Sequence, residues 1–248
     1  MISQQSKKNL KFIFSLLIFY IVLFEFLLPR NNFIPQPTIF YESFLHLWSV
    51  YHLLFPLLST ATIVYLSILI SFVFIFYFRI VIIKNIISYR ATFQVFNIFK
   101  YFPAFFIVLL FSLWFKDSLS AEIVFAILVS SIMLIKKINQ LILDVKNEYI
   151  IFAHQINPNK MFSEVYWKSI LPKLFSYLYD LQFYLWILIL IYEFISESYG
   201  IGLIYKQAFT YNDIGAIFSI SITVSLIIWL SNFLIKLIEK KKIYWDNE

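Results

Sequence analysis

The sequence predicts an all-α, polytopic membrane protein with about six transmembrane helices, and three observations lead there. First, 61% of the 248 residues are hydrophobic and only 14% are charged, with a mean hydropathy of +0.81, so polar side chains are too few to coat a core of that size in water. Second, apolar runs near 11–29, 57–83, 101–115, 119–135, 177–195 and 214–237 approach or exceed the length of helix, about 20 residues, that crosses roughly 30 Å of hydrocarbon. Third, lysine and arginine fall mostly in alternate segments between these runs, as expected where cytoplasmic loops retain positive charge.

The first run is preceded by Lys7 and Lys8, includes Lys11, and ends on Glu25, Pro29 and Arg30 with no small-residue cleavage site. It therefore reads as a retained helix with a cytoplasmic N-tail over 1–10. From that start, six crossings put Arg79, Lys84, Arg90, Lys100, Lys136, Lys137, Lys146, Lys160, Lys168, Lys173, Lys236 and Lys240 to Lys242 inside, and Arg30, Lys116 and Lys206 outside. The third run is short and contains Pro103 near its start, which predicts a tilted or broken helix. Between the runs, an external segment over 30–55 carries Pro35 and Pro37 and reads as extended, then amphipathic. A second external segment covers 196–213, and the C-tail over 238–248 is cytoplasmic. The largest cytoplasmic piece, 136–176, mixes charges with aromatic side chains. That mixture fits either a docking surface or a pair of helices lying on lipid headgroups.

Composition also excludes classes of function. The chain has 3 glycines, too few for a phosphate-cradling loop. It has no cysteine, and His46, His52 and His154 lack the spacing of metal ligands. No nucleophile–base constellation or acidic pair of catalytic type is evident, so no enzyme, bound cofactor or metal is expected. The net charge of +6 is spread through short loops, which accounts for it by membrane orientation and gives no reason to expect nucleic acid. Abundant Phe (30) and Tyr (17), with many Ile, Lys and Asn, read as codon bias.

Several segments resemble, in order and spacing, the permease subunits of bacterial ABC importers of the nitrate, sulfonate and taurine type. Glu193 is followed by Gly200 and Gly202 seven and nine residues later, which uses two of the three glycines at one place. Upstream, IPQPTIFYESFLHLW resembles the family's Leu-Pro-x-Pro entry to an amphipathic helix. YFPAFFIVLLFSLWFKDS resembles its Pro-rich entry with a Leu-Trp-Phe-Gly ending, with Lys116 in place of that glycine. The stretch from Ala153 to Pro172 has the length of the family's ATPase-docking loop and ends on Ile170, Leu171 and Pro172. Ala153, His154 and Gln155 replace its Glu-Ala-Ala signature, and Asn159 replaces its glycine, a residue that tolerates a left-handed backbone.

The resemblance covers about residue 30 to the C-terminus and implies a type I importer permease in the bacterial inner membrane, with both termini cytoplasmic. It implies cytoplasmic ATPase subunits docked on Ala153, His154, Gln155, Asn159, Lys160, Met161, Phe162 and Pro172, with ATP bound and hydrolysed on those partners. It also implies a second permease copy or a homologous chain, an external solute-binding protein, and a small solute with anions among the candidates. The altered signature leaves a second expectation, a permease-fold scaffold or regulatory subunit without transport of its own.

Individual residues carry two readings each. Glu193 is a pathway or gate residue, or a helix-end carboxylate satisfied by backbone donors. Glu25 offers the same choice. Trp114 and Phe115 line the pathway with Gly200 and Gly202, or form an interfacial aromatic belt. Asp180 is spaced to pair with Lys173 two helical turns away, and His154 is a contact residue or a solvated histidine.

Overall fold

The computed structural model describes residues 4–27, 34–89, 104–115, 118–145, 151 and 165–242. Described elements are helical, with no strand among the described residues. Helix α1 (Gln4–Ile21) passes into a π-helical stretch, Val22–Leu27, and is followed by α2 (Pro37–Ser49), α3 (Leu54–Ser88), α4 (Ala104–Trp114) and α5 (Leu119–Leu143). The chain continues through α6 (Trp167–Ser196), α7 (Ile201–Thr210) and α8 (Ile214–Lys242).

Four of these helices, α3, α5, α6 and α8, are long and apolar enough to cross a membrane. At about 1.5 Å per residue, α3 with 35 residues is longer than the hydrocarbon is thick. Helices α3, α5 and α8 outgrow their apolar runs mainly at the lysine-bearing end, since a helix satisfies its own backbone in headgroups as well as in lipid. The first and third runs form shorter apolar helices, Phe14–Leu27 and Phe105–Trp114. Lysines shorten the apolar part of α1, and α4 has only 11 residues, about half a crossing. The count of six spans thus resolves into four long helices and two shorter ones.

The stretch 136–176, expected as one loop-bearing segment, is helical at both ends. Helix α5 continues to Leu143 and α6 starts at Trp167, so Pro172 is buried inside α6 and closes no loop. It removes one hydrogen bond, to the carbonyl of exposed Lys168 near the helix start, where the loss is tolerable.

Helix α6 is the hub, packing against α3, α4, α5, α7 and α8. Accordingly, 39% of its apolar window is buried, against 22% for α3. Apolar side chains gain little by meeting one another rather than lipid, so close packing and shared polar groups must join such helices. Between α3 and α5 small residues do this: Ser71 contacts Ser130 Oγ, Ser131 Oγ donates to Ser71 (3.0 Å), and Ser130 Oγ donates to the Ser67 carbonyl (3.3 Å). Between α6 and α8 the buried Gln182 amide bonds Asn232 and accepts from Ser231 Oγ (2.7 Å). Trp186 Nε1 of α6 donates to Tyr65 Oη of α3 (3.3 Å).

Helix α2 starts with Pro37, whose missing N–H costs nothing at a helix N-terminus. It packs against α8, and its entry is fixed by Glu25, whose carboxylate accepts from Thr38 Oγ1 (3.0 Å) and Thr38 N (3.3 Å).

Candidate functional site

Helix α6 stops at Ser196 because Glu197 turns left-handed (φ 57°, ψ 24°). Ser198 to Gly200 then reverse the chain, and α7 folds back against α6. This return sets the Gly202 N–H 2.7 Å from Glu193 Oε2. A Cβ at Gly202 would lie 2.5 Å from both the Glu193 Cβ and the Leu190 carbonyl oxygen, and one at Gly200 would overlap the Glu193 carboxylate itself. Neither glycine has positive φ, and Gly200 is extended (φ −177°). Close approach to Glu193 is therefore what these positions require.

Helix α3 supplies Thr60. Its hydroxyl donates to Glu193 Oε1 at 2.6 Å and accepts from the Ile201 N–H at 3.0 Å. The first backbone donors of α7 thus face Glu193 directly and through Thr60, a favourable place for a carboxylate at the positive end of a helix.

Helix α5 supplies Glu122 from its first turn. Ser198 Oγ donates to Glu122 Oε2 (3.3 Å), while Oε1 meets no hydrogen-bond donor among the described residues. Glu122 and Glu193 thus meet the same α6–α7 return, Glu122 through Ser198 and Glu193 through Gly202, and both residues are 0% exposed. Beside them the Tyr192 ring stacks on Phe125 (5.5 Å, 27°). Tyr192 is 0% exposed, and its hydroxyl has no hydrogen-bond partner among the described residues though it lies within electrostatic reach of Glu122. Four helices therefore converge on two carboxyl groups, at the first turn of α5 and the last turn of α6. Such an arrangement can hold a proton and can tie the α6–α7 turn to α3 and α5. Compared with known proteins, the chain matches no family model, no curated protein and no solved structure.

At the surface of the same turn Lys206 Nζ lies 2.7 Å from Glu197 Oε1 and 5.9 Å from the centre of the Phe194 ring. Nearby, Tyr51, between α2 and α3, donates to Asp213 Oδ2 (3.2 Å), and Asp213 Oδ1 accepts from Ala216 N (2.9 Å) at the start of α8. Burial, followed by the Asp213 charge, pushes the Tyr51 hydroxyl up to about 12.

Of the residues singled out in the sequence, Glu193, Gly200 and Gly202 meet at one place. Trp114 and Phe115 end α4 as exposed aromatic side chains, Trp114 at 70% exposure. Lys173 lies 3.9 Å from Asp144 Oδ2, so the end of α5, rather than Asp180, supplies its acid. Ala153, His154, Gln155, Asn159, Lys160, Met161 and Phe162 lie outside the described residues. Glu122, Thr60, Tyr192 and Ser198 were not legible as members of the site. Glu122 carried a usable signal, a carboxylate three residues into an apolar run, while Thr60 and Tyr192 carried none.

Proposed function

We propose that this chain is the transmembrane subunit of an ATP-driven ABC importer, forming half of a translocation pathway for a small solute. The observation that carries this reading is the meeting of Glu193, Gly200 and Gly202, whose spacing contributes most to the resemblance. Residues 193, 200 and 202 form one unit in which the glycines make room for the carboxylate. Four apolar helices of spanning length and an amphipathic helix ahead of the first long one also agree with it.

In this reading a second permease copy or homologous chain completes the pathway, and an external solute-binding protein delivers solute near 30–55 and 196–213. ATPase subunits bind and hydrolyse ATP on the cytoplasmic side. They dock on the 153–172 stretch and switch access by rigid-body movement of the docked segments. The chain itself is no enzyme. The replacement of Glu-Ala-Ala by Ala153, His154 and Gln155 favours a second reading, a permease-fold scaffold that has lost coupling.

Co-purification with candidate ATPase subunits in detergent separates the two. The native chain should retain an ATPase, and a variant carrying Met161→Asp and Phe162→Asp should lose it while staying monodisperse. If the native chain retains none, the scaffold reading replaces the importer reading.

A further inference from the structure

The four-helix junction contains two acids, and among the described residues no basic side chain bonds either of them. Its groups are satisfied unequally. Glu193 receives a donor on each oxygen, Thr60 Oγ1 at 2.6 Å and Gly202 N at 2.7 Å, as an ionised carboxylate requires. Glu122 receives Ser198 Oγ on Oε2, but its Oε1 is a buried acceptor without a donor among the described residues. Two carboxylates buried at one turn away from water are costly to hold with both charged. A proton on Glu122 eases both difficulties, because its carboxyl gains an O–H donor to offer the neighbouring carboxylate and the pair carries a single charge.

A metal ion fits less well. It needs several oxygen ligands in its first shell, whereas the Glu193 oxygens already face N–H and O–H donors, and no group of three or more acids, histidines or cysteines forms a cluster among the described residues. Independently of the acids, the Tyr192 hydroxyl is buried in the ring pair with Phe125, one helical position from Glu193, without a hydrogen-bond partner among the described residues. It is an uncommitted polar group at the place where a proton would be exchanged.

We propose that Glu122 and Glu193 together bind one proton, carried on Glu122 and shared with Glu193, and that this proton latches the α6–α7 turn onto α3 and α5. Releasing it turns an acid–carboxylate pair into two carboxylates and one proton passed to water, with no other bond made or broken. The repulsion left behind falls on Gly202, Ile201 and Ser198, the three turn residues bonded to the pair or to Thr60. The turn reaches the surface of the chain at Tyr199, which is 54% exposed.

Among the described residues, other elements bring no competing charge to the pair. Helix α3 contributes Thr60, α4 contributes the Phe111 ring against Phe125, α6 contributes Tyr192, and α7 contributes backbone N–H groups. The Asp213 carboxylate at the start of α8 is engaged with Tyr51 and Ala216, and the Glu197–Lys206 pair lies on the surface of the turn.

Infrared spectroscopy of the full chain in lipid nanodiscs at neutral pH tests the site. The native protein should show the deuterium-sensitive C=O stretch of one protonated carboxylic acid, and Glu122→Gln should abolish it. Glu122→Gln should keep a native thermal midpoint, because its amide N–H can donate to Glu193 as the acid does. If Glu122→Gln does not fold, Glu193→Gln serves instead, and the band should then shift because its partner has changed. Absence of the band in the native protein overturns the proposal, as does a band unchanged in whichever of these variants folds. A band that appears only after sodium and divalent ions are removed overturns it in favour of a bound cation.

The latch is tested by hydrogen exchange of residues 198–204 as pH is raised through the loss of the band. Exchange should accelerate at least tenfold more in the native chain than in Glu122→Gln, or than in Glu193→Gln where that variant replaces it. Equal acceleration would leave a proton site that latches nothing and would overturn the second half of the proposal.

Discussion

Glu25 and Glu193 make nearly the same hydrogen bonds in two different surroundings. Each carboxylate sits near the end of a helix and accepts from one threonine hydroxyl and one backbone N–H at the start of a later helix: Thr38 Oγ1 and N for Glu25, Thr60 Oγ1 and Gly202 N for Glu193. Glu25 is half-buried and its Thr38 partner exposed, whereas Glu193 and Thr60 are 0% exposed. Hydrogen-bond pattern alone therefore does not distinguish an entry clamp from a core junction. What separates them is that water can replace the partners of Glu25 and cannot replace those of Glu193. The shorter bonds at Glu193, 2.6 and 2.7 Å against 3.0 and 3.3 Å, follow the same division.

The largest effect expected from this contrast is at Glu193. Glu193→Leu leaves Gly202 N a buried donor without an acceptor and removes the shorter of the two bonds open to Thr60 Oγ1, which keeps the Pro56 carbonyl at 3.0 Å; the loss should cost about 3 kcal/mol. At about 2–4 °C per kcal/mol for a chain of this size, the thermal midpoint of the detergent-solubilised protein should fall by about 6–12 °C. Glu25→Ala should cost about 0.5–1 kcal/mol, as for an exposed helix cap, or roughly 1–4 °C. The ratio between the two is the sharper measurement: equal losses would mean that water reaches the α6–α7 turn as freely as it reaches α2.

Sequence reading reached the two sites unequally, for physical reasons. Helical class and apolar spans follow from composition and run length, so α3, α5, α6 and α8 were legible as elements. Run length undershot them because lysines such as Lys84 and Lys136 end an apolar run without ending a helix. Glu193, Gly200 and Gly202 were legible as a group because their separations fall within one turn of chain and two of the three glycines sit there. Close approach is what these glycines provide, since their Cβ-free space accommodates Glu193 and neither adopts positive φ. Thr60 and Glu122 join the site across 133 and 76 residues of chain, from Thr60 to Glu193 and from Glu122 to Ser198. No local pattern marks such a pairing. The Lys173–Asp180 expectation failed for the same reason: helix spacing named a neighbour on α6, and the packing of α5 supplied Asp144 instead.

Tyr51 and Asp213 extend the comparison to a third hydroxyl–carboxylate bond, intermediate in burial and outside the long helices, and here the smallest effect is expected. The Tyr51 hydroxyl is pushed up to about 12 from an ordinary value of 10.0, first by burial and then by the Asp213 charge. The fold therefore favours the neutral phenol. A group whose folded value is raised contributes fully below its unfolded value and loses that contribution as pH rises toward the folded one. The difference in thermal midpoint between the native chain and Tyr51→Phe should thus be constant below about pH 10 and shrink toward pH 12, while other tyrosines, common to both proteins, cancel. A difference that persists undiminished above pH 11 would mean that the hydroxyl stabilises by packing alone, and that Asp213 holds α8 through Ala216 without help from Tyr51.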